Sequence, residues 1–242
     1  MIIGSIGTVS SSWEPPIPMS GLMEWYEPGN TAGIIIANPP ATDLDEMINL
    51  ANPMGSPKYQ QLFVSEFGSD LLGATTITTN ATSNSWSNST DWSSMTEYTV
   101  IIISKYNDPS NNQENTFTNL GGPVTFNLGN GNNGGIGKIN VCQVGGLELY
   151  AGDTANILWA MYTLCGSTTI KLNFYRNANP TSILSPPANF RPLPVGTLIF
   201  PFDMPYTSSS VGAVLLYNRI ITNDERNSIF QHYKKQFPLL DT

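Results

Sequence analysis

Charge is scarce in this chain. Only 12% of its 242 residues are Asp, Glu, Lys or Arg, and 18 acids against 10 bases leave a net charge of −8. Phosphate backbones are bound by neutralising them with Lys and Arg, and Lys234-Lys235 is too short a basic run to do so, so nucleic acid is not an expected partner. Histidine is reduced to His232 and cysteine to Cys142 and Cys165. Without paired-Cys motifs or further histidines, a zinc site is excluded. Both cysteines sit among apolar residues, Ile139-Asn-Val-Cys-Gln-Val and Met161-Tyr-Thr-Leu-Cys, and are expected to be buried free thiols rather than a disulfide. No apolar run approaches the roughly 20 residues that cross a bilayer. The stretch from Met1 to Ile6 is broken by Gly4 and Ser5 and has no preceding cation, so it does not read as a signal peptide. The expectation is a protein folded in a cytoplasm, without membrane insertion. Catalytic signatures are missing as well. No Gly-x-Ser-x-Gly accompanies His232, and Asn130-Gly-Asn-Asn-Gly-Gly lacks the Lys and following helix of a phosphate loop.

What is present is a β rhythm. Hydrophobic residues make up 40% of the chain, enough for a core, and the length suits one all-β domain. Short β-prone runs alternate with turn clusters. The runs are Gln60–Phe67, Leu71–Thr79, Tyr98–Lys105, Thr116–Leu120, Val124–Leu128, Ile136–Val144, Asn156–Leu164, Thr168–Arg176, Thr197–Phe202 and Val211–Tyr217. Asn107-Asp-Pro, Gly121-Gly-Pro, Gly145-Gly and Asn177–Pro180 punctuate them. Many short strands at this spacing point to a sandwich or jelly roll. In the run after Cys165, alternation puts Ile170, Leu172 and Phe174 on one side and Lys171, Asn173 and Tyr175 on the other. Thr42-Asp-Leu-Asp has capping spacing and predicts a short helix over 42–51. The Thr/Ser/Asn-rich stretch 72–97 reads as a long loop across the top of the domain.

Residues 1–20 form an expected arm, with 21–242 as the domain. Pro15, Pro16 and Pro18 favour an extended path. Ile2, Ile3, Ile6, Trp13 and Ile17 are candidates to bury on an assembly partner; the alternative is that the arm straps its own domain.

The C-terminal residues are the most specific. Thr222 and Glu225 stand at capping-box spacing. Ile229, Phe230, Tyr233 and Phe237 then make one apolar helical face, Lys234 and Lys235 complement the dipole in the last turn, and Pro238 prevents continuation. The run Gly212, Tyr217, Asn218, Arg219, Ile221, Thr222, Glu225 resembles the closing strand and helix of laminin-G-like, concanavalin A-type jelly rolls. Gly21-Leu-Met-Glu-Trp-Tyr resembles the opening strand of the same group. The resemblance implies an all-β concanavalin A-like jelly-roll sandwich with an extended N-terminal arm and a short C-terminal helix.

Some relatives of this fold hydrolyse glycosides with two carboxylates on one strand, a pattern that Asp43, Asp45, Glu46, Glu148, Asp224 and Glu225 do not make. Others hold calcium at the rim, but Asp70, Asp153 and Asp203 are not ligand-spaced, so neither metal nor cofactor is expected. Carbohydrate binding needs aromatic platforms with nearby polar groups. Trp86, Trp92, Asn84 and Asn88 supply them, against the alternative that the tryptophans anchor a loop. The expected function is a non-enzymatic bacteriophage virion component, a capsid decoration protein or a tail or fibre part. It would sit on the particle surface and contact other virion proteins or further copies of itself. The alternative is a lectin-like module, on a particle or extracellular, that binds a cell-surface glycan.

Overall fold

In Val211–Tyr217 and in the runs that flank it, side chains alternate between two apolar faces, the signature of strands buried on both sides. The computed structural model describes residues 17–27, 34–36, 44–52, 59–61, 66–69, 75–78, 86–88, 94–106, 115–119, 124–125, 127–130, 138–144, 147–154, 158–183, 198–200, 209–238 and 240. The first strands are β1 (Leu22–Tyr26), β2 (Ile34–Ile36), β3 (Leu44–Met47), β4 (Tyr59–Gln61), β5 (Glu66–Ser69), β6 (Thr75–Thr78) and β7 (Trp86–Asn88). Then come β8 (Glu97–Tyr106), β9 (Asn115–Asn119), β10 (Val124–Thr125), β11 (Asn127–Asn130), β12 (Lys138–Val144) and β13 (Leu147–Thr154). β14 (Ala160–Ser167), β15 (Asn173–Arg176), β16 (Leu198–Phe200), β17 (Ser209–Tyr217) and the helix α1 (Asn223–Gln236) complete the order.

The strands make two antiparallel sheets that form a sandwich. The seven-stranded sheet runs β15-β14-β8-β17-β6-β5, with β1 also on β17. β1 pairs with the C-terminal half of β17 and β6 with its first residues, so both share one edge of that strand. The ten-stranded sheet runs β12-β11-β9-β16-β7-β4-β3-β2, with β10 and β13 also paired to β12. The all-β jelly-roll expectation, with its closing helix, is borne out.

Register explains the core. Ile101 lies opposite Thr163 and Leu215, and Ile103 opposite Met161 and Ala213. These residues, with Tyr217 and Trp159, face α1, whose Ile229, Phe230, Tyr233 and Phe237 close over them. Val100, Ile102, Tyr162, Leu164, Val214 and Leu216 occupy the alternate positions and are equally buried. The helix starts as its sequence predicts: Thr222 is the N-cap, and its hydroxyl and the Glu225 carboxylate exchange hydrogen bonds with each other's backbone N–H.

Several expectations need correction. The segment read as a helix over 42–51 contains β3, paired with β2 and β4. A ten-residue helix is marginal alone, whereas the ladder gives the strand backbone partners on both sides. In the stretch read as one loop over 72–97, β6 falls within the expected run Leu71–Thr79, but β7 was not expected and lies between β4 and β16. The run Gln60–Phe67 divides between β4 in one sheet and β5 in the other. Ile170 does not join Leu172 and Phe174 inside; it is 51% exposed at the tip of the β14–β15 hairpin. Cys165 is a buried free thiol, as expected, and burial pushes its pKa up to about 11.

Candidate functional site

The matched C-terminal residues tie three parts of the chain together. Arg219 grips Glu225 through both terminal guanidinium nitrogens, Nη1 and Nη2, at 2.9 and 2.5 Å, while its Nε–H donates to the Ser20 carbonyl. The bidentate pair holds the Glu225 carboxyl down at about 2. The Tyr217 hydroxyl donates to the Pro18 carbonyl, and the Asn218 N–H donates to the carbonyl of Gly21. Gly21 has φ +73 and lies against the Asn218 side chain, so a Cβ there would be both strained and crowded. Thr99 bridges the turn, donating to the Arg219 carbonyl and accepting from the Ile221 N–H. Residues 17–21 thus strap the sheet, and Ile17 is 2% exposed within the domain's own core. Of the five candidate arm residues, Ile17 is therefore committed to the strap. Ile2, Ile3, Ile6 and Trp13 lie outside the described residues.

Glu27, just past β1, is a buried acid with three donors. Its Oε2 accepts from Trp25 Nε1 at 3.0 Å and from the Tyr233 hydroxyl at 3.1 Å, and its Oε1 accepts from Gln236 Nε2 at 2.9 Å. These bonds fasten the second half of α1 to the end of β1. Nearer the N-terminal end of α1, Arg226 is almost wholly buried. It donates to the Asn179 carbonyl at 2.7 Å and stacks 3.9 Å from the Tyr175 ring centroid.

At one end of the seven-stranded sheet the β14–β15 hairpin meets the turn before β8. Ser167 Oγ accepts from the N–H groups of Thr169 and Ile170, and the Thr168 N–H donates to the Thr96 carbonyl. The resulting rim exposes Ser94, Thr96, Thr168, Thr169, Ile170 and Lys171. Its hydroxyls, one aliphatic side chain and one cation sit on turns whose backbone is fixed. The run Thr168–Arg176, read from sequence as one strand, supplies this tip: β15 begins only at Asn173, and Thr168–Lys171 lie in the hairpin turn.

Trp86 and Asn88 are two residues apart on β7, registered with Phe200 and Leu198 of β16. Asn84 and Trp92 lie outside the described residues. Asp70, Asp203 and Asp43 also lie outside them, and among the described residues no group of three or more His, Cys, Asp or Glu converges on a metal-sized site.

No protein-family model matches this chain, and no curated protein sequence matches it. Solved structures do. The binding domain of Paraclostridial Mosquitocidal Protein 1 superposes with a TM-score of 0.63 at 11% identity, over 88% of this chain and 52% of that one. A structure of botulinum neurotoxin type C, whose cell entry is dependent upon interaction with two ganglioside molecules, gives 0.59 at 8% identity over 87% and 51%. The fold is a β-sandwich of the kind seen in these toxin domains. A Trypanosoma rangeli sialidase shares it, with a TM-score of 0.55 at 10% identity, over 91% of this chain and 34% of that one. At such identities the likeness is one of fold, and this chain spans about half the length of the two toxin chains.

Proposed function

We propose that this chain is a non-enzymatic, lectin-like recognition module that binds a cell-surface glycan from the exterior of a bacteriophage particle. The observation that carries the binding role is the fixed polar rim of Ser94, Thr96, Thr168, Thr169, Ile170 and Lys171. Sugar recognition rewards hydroxyl and amide partners held in place before the ligand arrives, because less side-chain freedom is lost on binding. Among the described residues, the two faces of β8, β14 and β17 are buried, one of them under α1 and the strap. The fold shared with toxin binding domains supports the same reading. A non-catalytic role is supported by the acids themselves: Glu27 is tied up by three donors and Glu225 by Arg219. The Ser/Thr/Asn-rich segment carrying Asn84, Trp86, Asn88 and Trp92 runs directly into the rim at Ser94, and its tryptophans supply stacking platforms.

On a broad glycan array the folded protein is expected to give weak, saturable hits. Trp92→Ala and Thr169→Ala should abolish them while circular dichroism stays unchanged. A folded protein without hits, or hits indifferent to both substitutions, overturns the glycan role. Turnover of any glycan that vanishes on neutralising one acid overturns the non-enzymatic reading.

The virion setting, as a capsid decoration or tail or fibre part, is supported by the low charge, the Asn/Ser/Thr/Gly richness of the sequence and the proline arm. Pre-extended prolines lose little freedom on docking. Deleting residues 1–16 leaves the strap from Ile17 onward intact. The expected outcome is a folded domain that no longer joins its particle or oligomer; normal assembly of that deletion would refute the arm's role.

A further inference from the structure

The Glu27 cluster has one neighbour that its structural role does not use. His232 sits one turn before Gln236 on α1, half-buried, with its Nε2 3.2 Å from Gln236 Nε2. Gln236 already gives one N–H to Glu27 Oε1. Its second N–H is the group facing the imidazole, so His232 Nε2 must accept and the ring must be neutral, with its proton on Nδ1. One amide thus reads the protonation state of the histidine and holds the carboxylate at the same time.

We propose that Glu27, Gln236 and His232 form a proton-operated latch, in which protonation of His232 withdraws Gln236 from Glu27 and loosens the last turns of α1 from β1. A protonated Nε2 would point a donor at a donor. Relief requires Gln236 to turn its amide. The turned amide presents its oxygen to His232 and also to the Glu27 carboxylate, which repels it. The buried carboxylate then keeps only Trp25 Nε1 and the Tyr233 hydroxyl, and a buried charge that loses a donor is costly. Downstream of the latch lie Phe237 and Leu240, both in the core beneath the helix. Loosening would therefore uncover the apolar face that α1 shares with the strap.

The charged groups acting on His232 are Glu27, from the end of β1, and Lys235, from its own helix. Burial is the largest influence and lowers the imidazole pKa below its ordinary 6.5; Glu27 opposes that shift and Lys235 adds to it. The sign follows directly. The unfolded chain takes up the proton more readily than the fold does, so the latch contributes fully above 6.5 and is lost as pH falls toward the lower folded value. Each unit by which the fold lowers that pKa corresponds to about a tenfold fall in the folded-to-unfolded ratio on acidification.

Because His232 is the chain's one histidine, the imidazole resonances in a proton NMR titration of the intact protein belong to it alone. They should titrate below 6.5, and Gln236→Ala should move the midpoint up. Amide exchange in α1, corrected for its intrinsic pH dependence, should accelerate between about pH 7.5 and pH 5. His232→Gln should remove that acceleration. An imidazole that titrates at or above its ordinary value, exchange that does not respond to acid, or a His232→Gln protein with the wild-type acid response would each overturn the latch. Should His232→Gln fail to fold, the titrations of wild type and Gln236→Ala still decide.

Discussion

Phe237→Ala is expected to be the most destabilising single truncation in the helix-facing core, at about 3–5 kcal/mol. The ring is 1% exposed. Its centroid lies 4.6 Å from that of Trp159 and 6.5 Å from that of Tyr233. It also lies directly over Gly212 in β17, where an added Cβ would collide with the ring. Gly212 and Phe237 are therefore two halves of one contact, a missing side chain on the strand and a large one just beyond the helix. Collapse into the vacated space is hindered because the surrounding strands are paired on both sides, so most of the cavity should persist. Urea unfolding of wild type and variant measures the loss directly. A change below about 1 kcal/mol would show that the end of α1 does not close this core.

Asn49→Ala is expected to be nearly as damaging, for a different reason. Asn49 is fully buried. Its Oδ1 accepts from the N–H groups of Trp25 and Ala51, and its Nδ2 donates to the Met23 carbonyl. The side chain stands in for a missing strand neighbour beside β1. Alanine removes all three bonds and leaves backbone groups of Trp25 and Met23 without that partner. Each such buried group costs about 1–3 kcal/mol. Asn49→Asp keeps the acceptor for Trp25 and Ala51 but sets a buried, charged carboxylate against the Met23 carbonyl, so at neutral pH its loss should be at least as large. Thermal unfolding of the three proteins at neutral pH provides the ranking, and equal stability of Asn49→Ala and wild type would contradict this account.

The parts of this fold that could be read from sequence are those whose signal is local. The capping box at Thr222 and Glu225, the three-and-four spacing of Ile229, Phe230, Tyr233 and Phe237, and the β-prone apolar runs Tyr98–Lys105 and Val211–Tyr217 all describe neighbours along the chain. The segment 42–51 misled because its local signal was real but weaker than the ladder offered by β2 and β4, which no nearby residue announces. Asn49 shows the same gap from the other side. Its partners are 24 and 26 positions away, and a buried clamp of that kind resembles any polar residue in a turn. Strands β2 and β7 have three residues each, too few for periodicity to register. The rim was hidden because Thr168–Arg176 reads as one β-prone run and because its second half comes from Ser94–Glu97, which only the antiparallel pairing of β8 with β14 brings alongside. The chemistry of Trp86 and Asn88 was legible, whereas their place on a strand between β4 and β16 was not.

Strand β17 also governs the order in which the molecule can be made. It is the last of the described strands, yet it lies between β8 on one side and β1 and β6 on the other. Until residue 217 has left the ribosome, β1 has no partner among the described strands, and β8 has only β14. The seven-stranded sheet must therefore close late, by inserting its newest strand between segments synthesised long before. Non-local closure of this kind folds slowly and leaves unpaired edges waiting. During that wait, apolar residues of β1 and β8 stand exposed. Chains released early, before β17 is complete, are accordingly expected to be clients of folding helpers or of proteases rather than smaller working domains.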